Sequence, residues 1–219
     1  MIIESAAVPP FFKNGYVIGC EATREAVLID PGDEVDQLLA FIARERLTAR
    51  AILLTHAHVD HVSGVGRARR ALGVPIHLHR DDLFLYDQAA VHGTLFGLTV
   101  EQPPPVDVFY EGHGPFTFGD YDVHVHHTPG HCPGGVCLQI GRQGTSGQDL
   151  FVGDTLFAGS IGRTDLPGGD YETLMRSITE VLFALGDEAR VYSGHGPQTT
   201  IGHERRTNPF VLDWERRRL

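Results

Sequence analysis

The sequence predicts an α/β (α+β) fold in which two β-sheets lie in layers with helices outside them. Three observations lead there. Short apolar segments alternate with Gly-, Pro- and Asp-bearing turns through most of the 219 residues. Two longer stretches carry apolar residues at helical spacing. Each half of the chain shows several strands and later one or two helices, which favours layered sheets over one alternating parallel sheet. No linker composition separates the halves, so a single domain over residues 1–219 is expected.

Taken in order, Tyr16 to Cys20 and Ala26 to Ile29 read as a hairpin across the polar segment Glu21 to Glu25. Asp30-Pro31-Gly32-Asp33 then breaks the second strand. From Glu34 to Arg46, Val35, Leu38, Leu39, Ile42 and Ala43 recur at helical spacing. Ala51 to Leu54 is a buried-type strand ending in Thr55-His56, and Gly64 to Leu72 is a helix closed by Gly73 and Pro75. Ile76 to His79 is a strand. Asp81 to Pro105 reads as a short helix and then a loop, ending in three prolines, that forms a pocket wall. Val106 to Tyr110, Tyr121 to His127, Val136 to Ile140, Leu150 to Val152 and Ala189 to Tyr192 are further strands. Tyr171 to Leu185 is a second amphipathic helix, and Asn208 to Leu219 is a helix with Pro209 in its first turn.

Composition narrows the function. Eighteen basic against 28 acidic residues give a net charge of −10. Nucleic acids and anionic membranes need a basic footprint, so neither is expected as a partner. No apolar run approaches the roughly 20 residues of a membrane span. Met1-Ile2-Ile3-Glu4 does not open a secretory signal, so a cytoplasmic location is expected. Cys20, Cys132 and Cys137 are too few for a disulfide framework. Cys132 and Cys137 would make half a thiolate metal site without its other half, and all three read as small buried residues. The unusual counts are 13 histidines and 26 glycines.

The histidines cluster. Thr55-His56-Ala57-His58-Val59-Asp60-His61 places three imidazoles and a carboxylate directly after an apolar strand. Three more segments share that context: Thr128-Pro129-Gly130-His131, Val152-Gly153-Asp154 and Ser193-Gly194-His195-Gly196. Each alone is an ordinary turn. Together they set five histidines and two aspartates at loop ends, as a metal-binding rim on a sheet scaffold requires. His77 with His79, and His124 with His126, alternate along strands and read as exposed strand faces. His92 and His113 lie in loops without partners, and His203 falls at a helix start in a structural role.

With these segments the chain resembles the metallo-β-lactamase superfamily, from about Gly15 to Pro209. The resemblance implies a four-layer αββα sandwich with its site along one edge of the two sheets. It implies His56, His58 and His131 as ligands of one metal, Asp60, His61 and His195 as ligands of a second, and Asp154 as the bridge. Within the superfamily the chain is similar to the glyoxalase II-like (hydroxyacylglutathione hydrolase-like) short bacterial metallo-hydrolases. The supporting segments are Ile29-Asp30-Pro31-Gly32, Gly153-Asp154-Thr155-Leu156-Phe157, Gly162-Arg163-Thr164-Asp165 and Thr200 to Arg205 with Asn208-Pro209-Phe210. One departure is that too few residues follow His195 for the helical domain that supplies glutathione-binding basic residues in full-length glyoxalase II. Cys132 also stands where relatives often carry threonine.

The expected chemistry is hydrolysis of a small acyl thioester or ester by a hydroxide bridging two divalent ions, with Asp60 orienting it. Zinc is the default metal, and the aspartate ligands also admit iron or manganese. Arg163 and Asp165 either stand beside the ligands and substrate or form a buried ion pair fixing the Gly159 to Gly169 loop, the favoured reading. Phe11, Phe12 and Tyr16 line the pocket or pack in the core. The competing functions are a persulfide dioxygenase with one ferrous ion on His56, His131 and Asp154, a phosphodiesterase, and a metal-binding module without turnover.

Overall fold

Strands that read as unbroken apolar runs become the centres of two sheets, and the site segments leave from their carboxyl ends. The computed structural model describes residues 1–111 and 114–218; His113 and Leu219 therefore lie outside the described residues. Two units result, Met1–Tyr121 and Asp122–Leu219.

In the first unit the strand order follows the sequence: β1 (Ile2–Ala6), β2 (Gly15–Gly19), β3 (Glu25–Ile29), β4 (Thr48–Leu53), β5 (Ile76–Leu78) and β6 (Val108–Phe109). The first three pair antiparallel and β3 to β6 pair parallel. Parallel neighbours need crossovers, and helices supply them. These are α1 (Val35–Arg44), then α2 (Val59–Val62) with α3 (Val65–Leu72), then α4 (Leu83–Asp87) with α5 (Ala89–Leu95). Strand β7 (Phe116–Phe118) follows. Helix α1 buries Val35, Leu38 and Ile42 as its spacing predicts, but Phe41 is buried in place of Leu39, which is half-buried, and Ala43, which is exposed.

The segment from Asp81 to Pro105 holds more helix than its composition suggests. Leu85, Tyr86 and Ala89 are buried and define the inner side of α4 and α5. The Tyr86 hydroxyl donates to the Pro104 carbonyl at 2.8 Å and pins the proline run. His77 and His79 are buried, not on an exposed strand face. The His77 ring lies 5.2 Å from Phe116 and 6.1 Å from Tyr110, so it packs as an aromatic.

The second unit contains β8 (Tyr121–His127), β9 (Val136–Arg142), β10 (Asp149–Gly153), β13 (Arg190–Ser193) and β14 (Thr199–Thr200), in spatial order β14-β13-β10-β9-β8. Between β10 and β13 run the hairpin β11 (Leu156–Phe157) and β12 (Ser160–Ile161) and the helix α6 (Tyr171–Arg176), and after β14 come the helices α7 (Ile201–Thr207) and α8 (Pro209–Arg217). Leu150, Val152, Leu174, Met175, Ile178, Leu182 and Val191 form its core. His124 and His126 are half-buried, and His126 Nε2 meets Gln139 Oε1 at 2.7 Å.

The single helix expected over Tyr171 to Leu185 is instead α-helical only to Arg176, widens to a π turn over Ser177–Val181 and tightens to 3₁₀ over Leu182–Leu185. Two hydroxyls explain this. Thr179 Oγ1 donates to the Met175 carbonyl at 2.7 Å and competes with the helical ladder. Ser177 Oγ donates to the Pro129 carbonyl at 2.7 Å and ties the helix to the loop that carries His131.

The tail helices are anchored through one carboxylate. Glu204 is fully buried and accepts from Thr199 Oγ1 (2.6 Å), Gly159 N (2.9 Å) and Asn208 Nδ2 (2.8 Å). Asn208 in turn caps α8, accepting from Phe210 N, with Pro209 at the first helical position. Glu204→Leu strands those three donors, and the expected loss is about 3 kcal/mol in urea-induced unfolding.

Candidate metal centre

Strands β3 and β4 run parallel with Ile29 opposite Leu53, and Asp30 N donates to the Leu53 carbonyl at 3.1 Å. Asp30 and Thr55-His56 therefore leave the sheet side by side, at the end where α/β sheets place their ligands. The buried Asp30 carboxylate then organises the histidines. It accepts from Thr55 N (2.7 Å), from Thr55 Oγ1 (2.5 Å) and from His61 Nδ1 (2.9 Å).

These bonds fix tautomers. A carboxylate only accepts, so the neutral His61 ring carries its proton on Nδ1 and its lone pair on Nε2. Thr55 spends its one hydroxyl proton on Asp30, so at its 3.2 Å contact with His56 Nδ1 it is the acceptor. His56 thus also carries its lone pair on Nε2. Metal-bound histidines are commonly oriented in this way, through a partner on the other ring nitrogen. A potential ligand atom from each of Asp30, His56 and His61 falls within 4.8 Å of the others.

Helix α2 brings the rest of the motif back toward this point. His58 is its N-cap and Asp60 lies in its first turn. The His56 ring centroid is 4.9 Å from that of His58 and 3.9 Å from that of His61. His61 Nε2 is 3.8 Å from Asp60 Oδ2. Asp82, fully buried, holds the intervening backbone by accepting from Ala57 N at 2.9 Å. The first unit therefore draws together His56, His58, Asp60 and His61.

The second unit draws together His131, Asp154 and His195. Strands β10 and β13 are parallel, and Gly194 N donates to the Gly153 carbonyl at 2.8 Å, so Asp154 and His195 emerge from adjacent strand ends. His131 Nδ1 meets the Arg163 carbonyl at 2.7 Å. A carbonyl also only accepts, which leaves the lone pair of neutral His131 on Nε2. That nitrogen lies 3.7 Å from Asp154 Oδ2, and His195 Nε2 lies 3.5 Å from the same oxygen. One carboxylate oxygen thus stands 3.5–3.7 Å from two imidazole nitrogens, an arrangement of donors that would suit a cation among them.

Arg163 and Asp165 are not a buried pair. Both side chains are exposed and bind each other through two 2.7 Å bonds. Arg163 holds the Asp165 carboxyl down at about 2. The part of Arg163 that touches a candidate ligand is its carbonyl. It reaches His131 because residue 162 is glycine: a Cβ there would sit 1.8 Å from the Asp154 carbonyl oxygen and 3.2 Å from His131 Nδ1. Tyr16 is buried in the core, whereas Phe12 is 60 % exposed and Phe11 packs edge-on against Phe96. All three cysteines are buried free thiols, and burial pushes the Cys137 thiol up, against any thiolate role. His203 is exposed on α7.

The residues that motif reading passes over are those behind the ligands. Thr55 and Asp82 carry no metal-ligand signature. Asp30 shows one signal, a carboxylate closing an apolar strand within the Ile29-Asp30-Pro31-Gly32 segment, and nothing in that segment marks it as the partner of the histidines.

Comparison with known proteins follows the same lines. A family profile described as "Metallo-beta-lactamase superfamily" matches residues 8–195. The hydroxyacylglutathione hydrolase GloC of Haemophilus influenzae is 37 % identical over 218 residues, covering 96 % of this chain and 98 % of that protein. The crystal structure of the BLEG-1 B3 metallo-beta-lactamase matches with a TM-score of 0.87 at 39 % identity, over 96 % of this chain and 99 % of that one. A di-iron-bound form of TTHA1623 matches at 0.81 and 42 % identity, over 94 % and 99 %. ETHE1 from Myxococcus xanthus matches at 0.78 and 29 % identity, over 100 % and 92 %.

Two substitutions separate the carbonyl of residue 163 from its side chain. Arg163→Ala is expected to leave zinc affinity in a chelator competition within about twofold, since an exposed ion pair contributes little. Gly162→Ala forces the carbonyl and His131 apart and is expected to weaken it by about tenfold or more.

Proposed function

The chain belongs to the metallo-β-lactamase superfamily, and from that premise we propose that it is a two-metal hydrolase of small acyl thioesters or esters. It is a metal-dependent hydrolase with the metallo-β-lactamase fold. The two-metal reading is carried by the Asp154 oxygen that lies within 3.7 Å of both His131 Nε2 and His195 Nε2. A carboxylate so placed suits a ligand common to two ions.

In this reading His56, His58 and His131 would hold one ion, Asp60, His61 and His195 would hold the other, and Asp154 would serve both. Divalent ions at such a site act as Lewis acids and lower the pKa of bound water to about 7. Zinc fits the imidazole-rich donors; iron and manganese fit the aspartates, and the di-iron form of TTHA1623 supports two ions at a related site.

The protein's own part is orientation. Asp30, Thr55 and the Arg163 carbonyl hold three imidazoles in the tautomer that presents Nε2. Asp60, half-buried at the start of α2, orients the attacking water through a hydrogen bond. No serine or cysteine nucleophile is required. The name of GloC supports a hydroxyacylglutathione-type substrate. The net charge of −10 supports a small-molecule partner rather than nucleic acid or membrane, and no helix among the described residues is long and apolar enough to cross a membrane.

Metal analysis of the purified protein paired with an assay on S-lactoylglutathione tests the proposal. Two ions per chain, turnover, and loss of turnover on chelation are expected. Asp60→Ala is expected to lower kcat by about a hundredfold or more. One iron per chain with oxygen uptake on a persulfide points instead to a dioxygenase on His56, His131 and Asp154. Full metal content without turnover of thioesters, lactones or persulfides points to a binding module.

A further inference from the structure

Lys13 is the only lysine in the chain, and it is 2 % exposed. Its ammonium lies 2.6 Å from Glu34 Oε1, in an ion pair whose two side chains are each 1 % exposed. The same ammonium donates to the backbone carbonyl of Asp30. Glu34 Oε1 also accepts from Gly32 N at 2.9 Å. The pair thus grips the Asp30-Pro31-Gly32 turn from both sides.

That turn needs a grip. Asp30 has φ +48°, in the left-handed region that disfavours residues with a side chain. It is nevertheless the residue whose carboxylate reaches Thr55 and His61. The space is shaped around the pair. A Cβ at Gly15 would lie 2.0 Å from Glu34 Oε1, and one at Gly32 would lie 2.9 Å from Lys13 Cε and 2.0 Å from the Asp60 carbonyl oxygen. Gly32 therefore separates the lysine stem from the segment bearing Asp60 by little more than its own backbone. Buried ion pairs seldom add stability over well-packed apolar groups, because desolvation offsets the attraction. A positioning role accounts for this one better than a stabilising role.

We infer that the Lys13–Glu34 ion pair is a positioning clamp that holds the Asp30 backbone in its left-handed conformation and thereby sets metal affinity at His56 and His61. The inference rests on the metal-binding reading above. The clamp reaches the ligands through the Asp30-Pro31-Gly32 turn, and the Asp30 carboxylate is the link that a double variant tests.

Zinc affinity is measured by chelator competition on the full-length chain for wild type, Lys13→Met, Asp30→Asn and the Lys13→Met/Asp30→Asn double variant. Lys13→Met is expected to weaken zinc by at least tenfold, the scale typical of groups that orient ligands. The double variant is expected to bind as Asp30→Asn alone does, since both changes break one chain of contacts. Losses that multiply, or a Lys13→Met protein with unchanged affinity, overturn the clamp. If Lys13→Met does not fold by circular dichroism, Lys13→Met/Glu34→Leu replaces it, removing both charges and refilling the space. The folded double variant is expected to show the same tenfold loss, and wild-type affinity in it overturns the inference. A wild-type protein that takes up none of zinc, iron and manganese overturns the metal reading itself; metal-competent wild type with unaffected variants overturns the clamp alone.

Discussion

The carboxylate of Asp30 is the fixed point of the first unit's chemistry. It closes a buried parallel strand, where the backbone is held by its neighbour at Leu53, and it has accepting oxygens and no proton to give. Everything that bonds to it must donate. That one-sidedness passes outward: His61 must present Nε2, Thr55 must accept from His56, and His56 must present Nε2 as well. A protonation pattern across three side chains is thus imposed by one anion placed by β-sheet register.

The second unit reaches the same end with a different acceptor. There the carbonyl of Arg163 takes the place of a carboxylate against His131 Nδ1. A carbonyl brings no charge of its own, so the only anion beside His131 and His195 in that unit's ligand set is Asp154. Both halves rely on strand ends. Asp30 and His56 leave β3 and β4, and Asp154 and His195 leave β10 and β13, each a parallel pair. Parallel neighbours finish at the same level, so side chains far apart in sequence arrive close together.

Much of this was legible in the chain. The apolar runs gave β3, β4, β9 and β10 because their buried stretches show no alternation to confuse the reading, although β4 begins earlier, in the more exposed residues 48–50. The ligand types were legible because His-x-His-x-Asp-His at a strand end has little other physical use. What stayed hidden depended on neighbours. The break at Ser177 follows from a hydroxyl meeting Pro129, a contact remote in sequence. His77 and His79 look exposed by alternation alone, but β5 is covered on both faces. Arg163 drew attention for its charge, whereas the atom that matters is one every residue carries. Lys13 and Glu34 sit in segments with no motif, and only the fold brings them together.

The burial of Lys13 has a further consequence for the surface. All the remaining basic side chains are arginines, so the exterior presents guanidinium groups and no side-chain primary amine. Reagents that acylate or crosslink amines therefore find no accessible side chain to attack. The side chains of the folded molecule should pass through amine-directed coupling unmarked, and a label on Lys13 would report that the fold around it has opened.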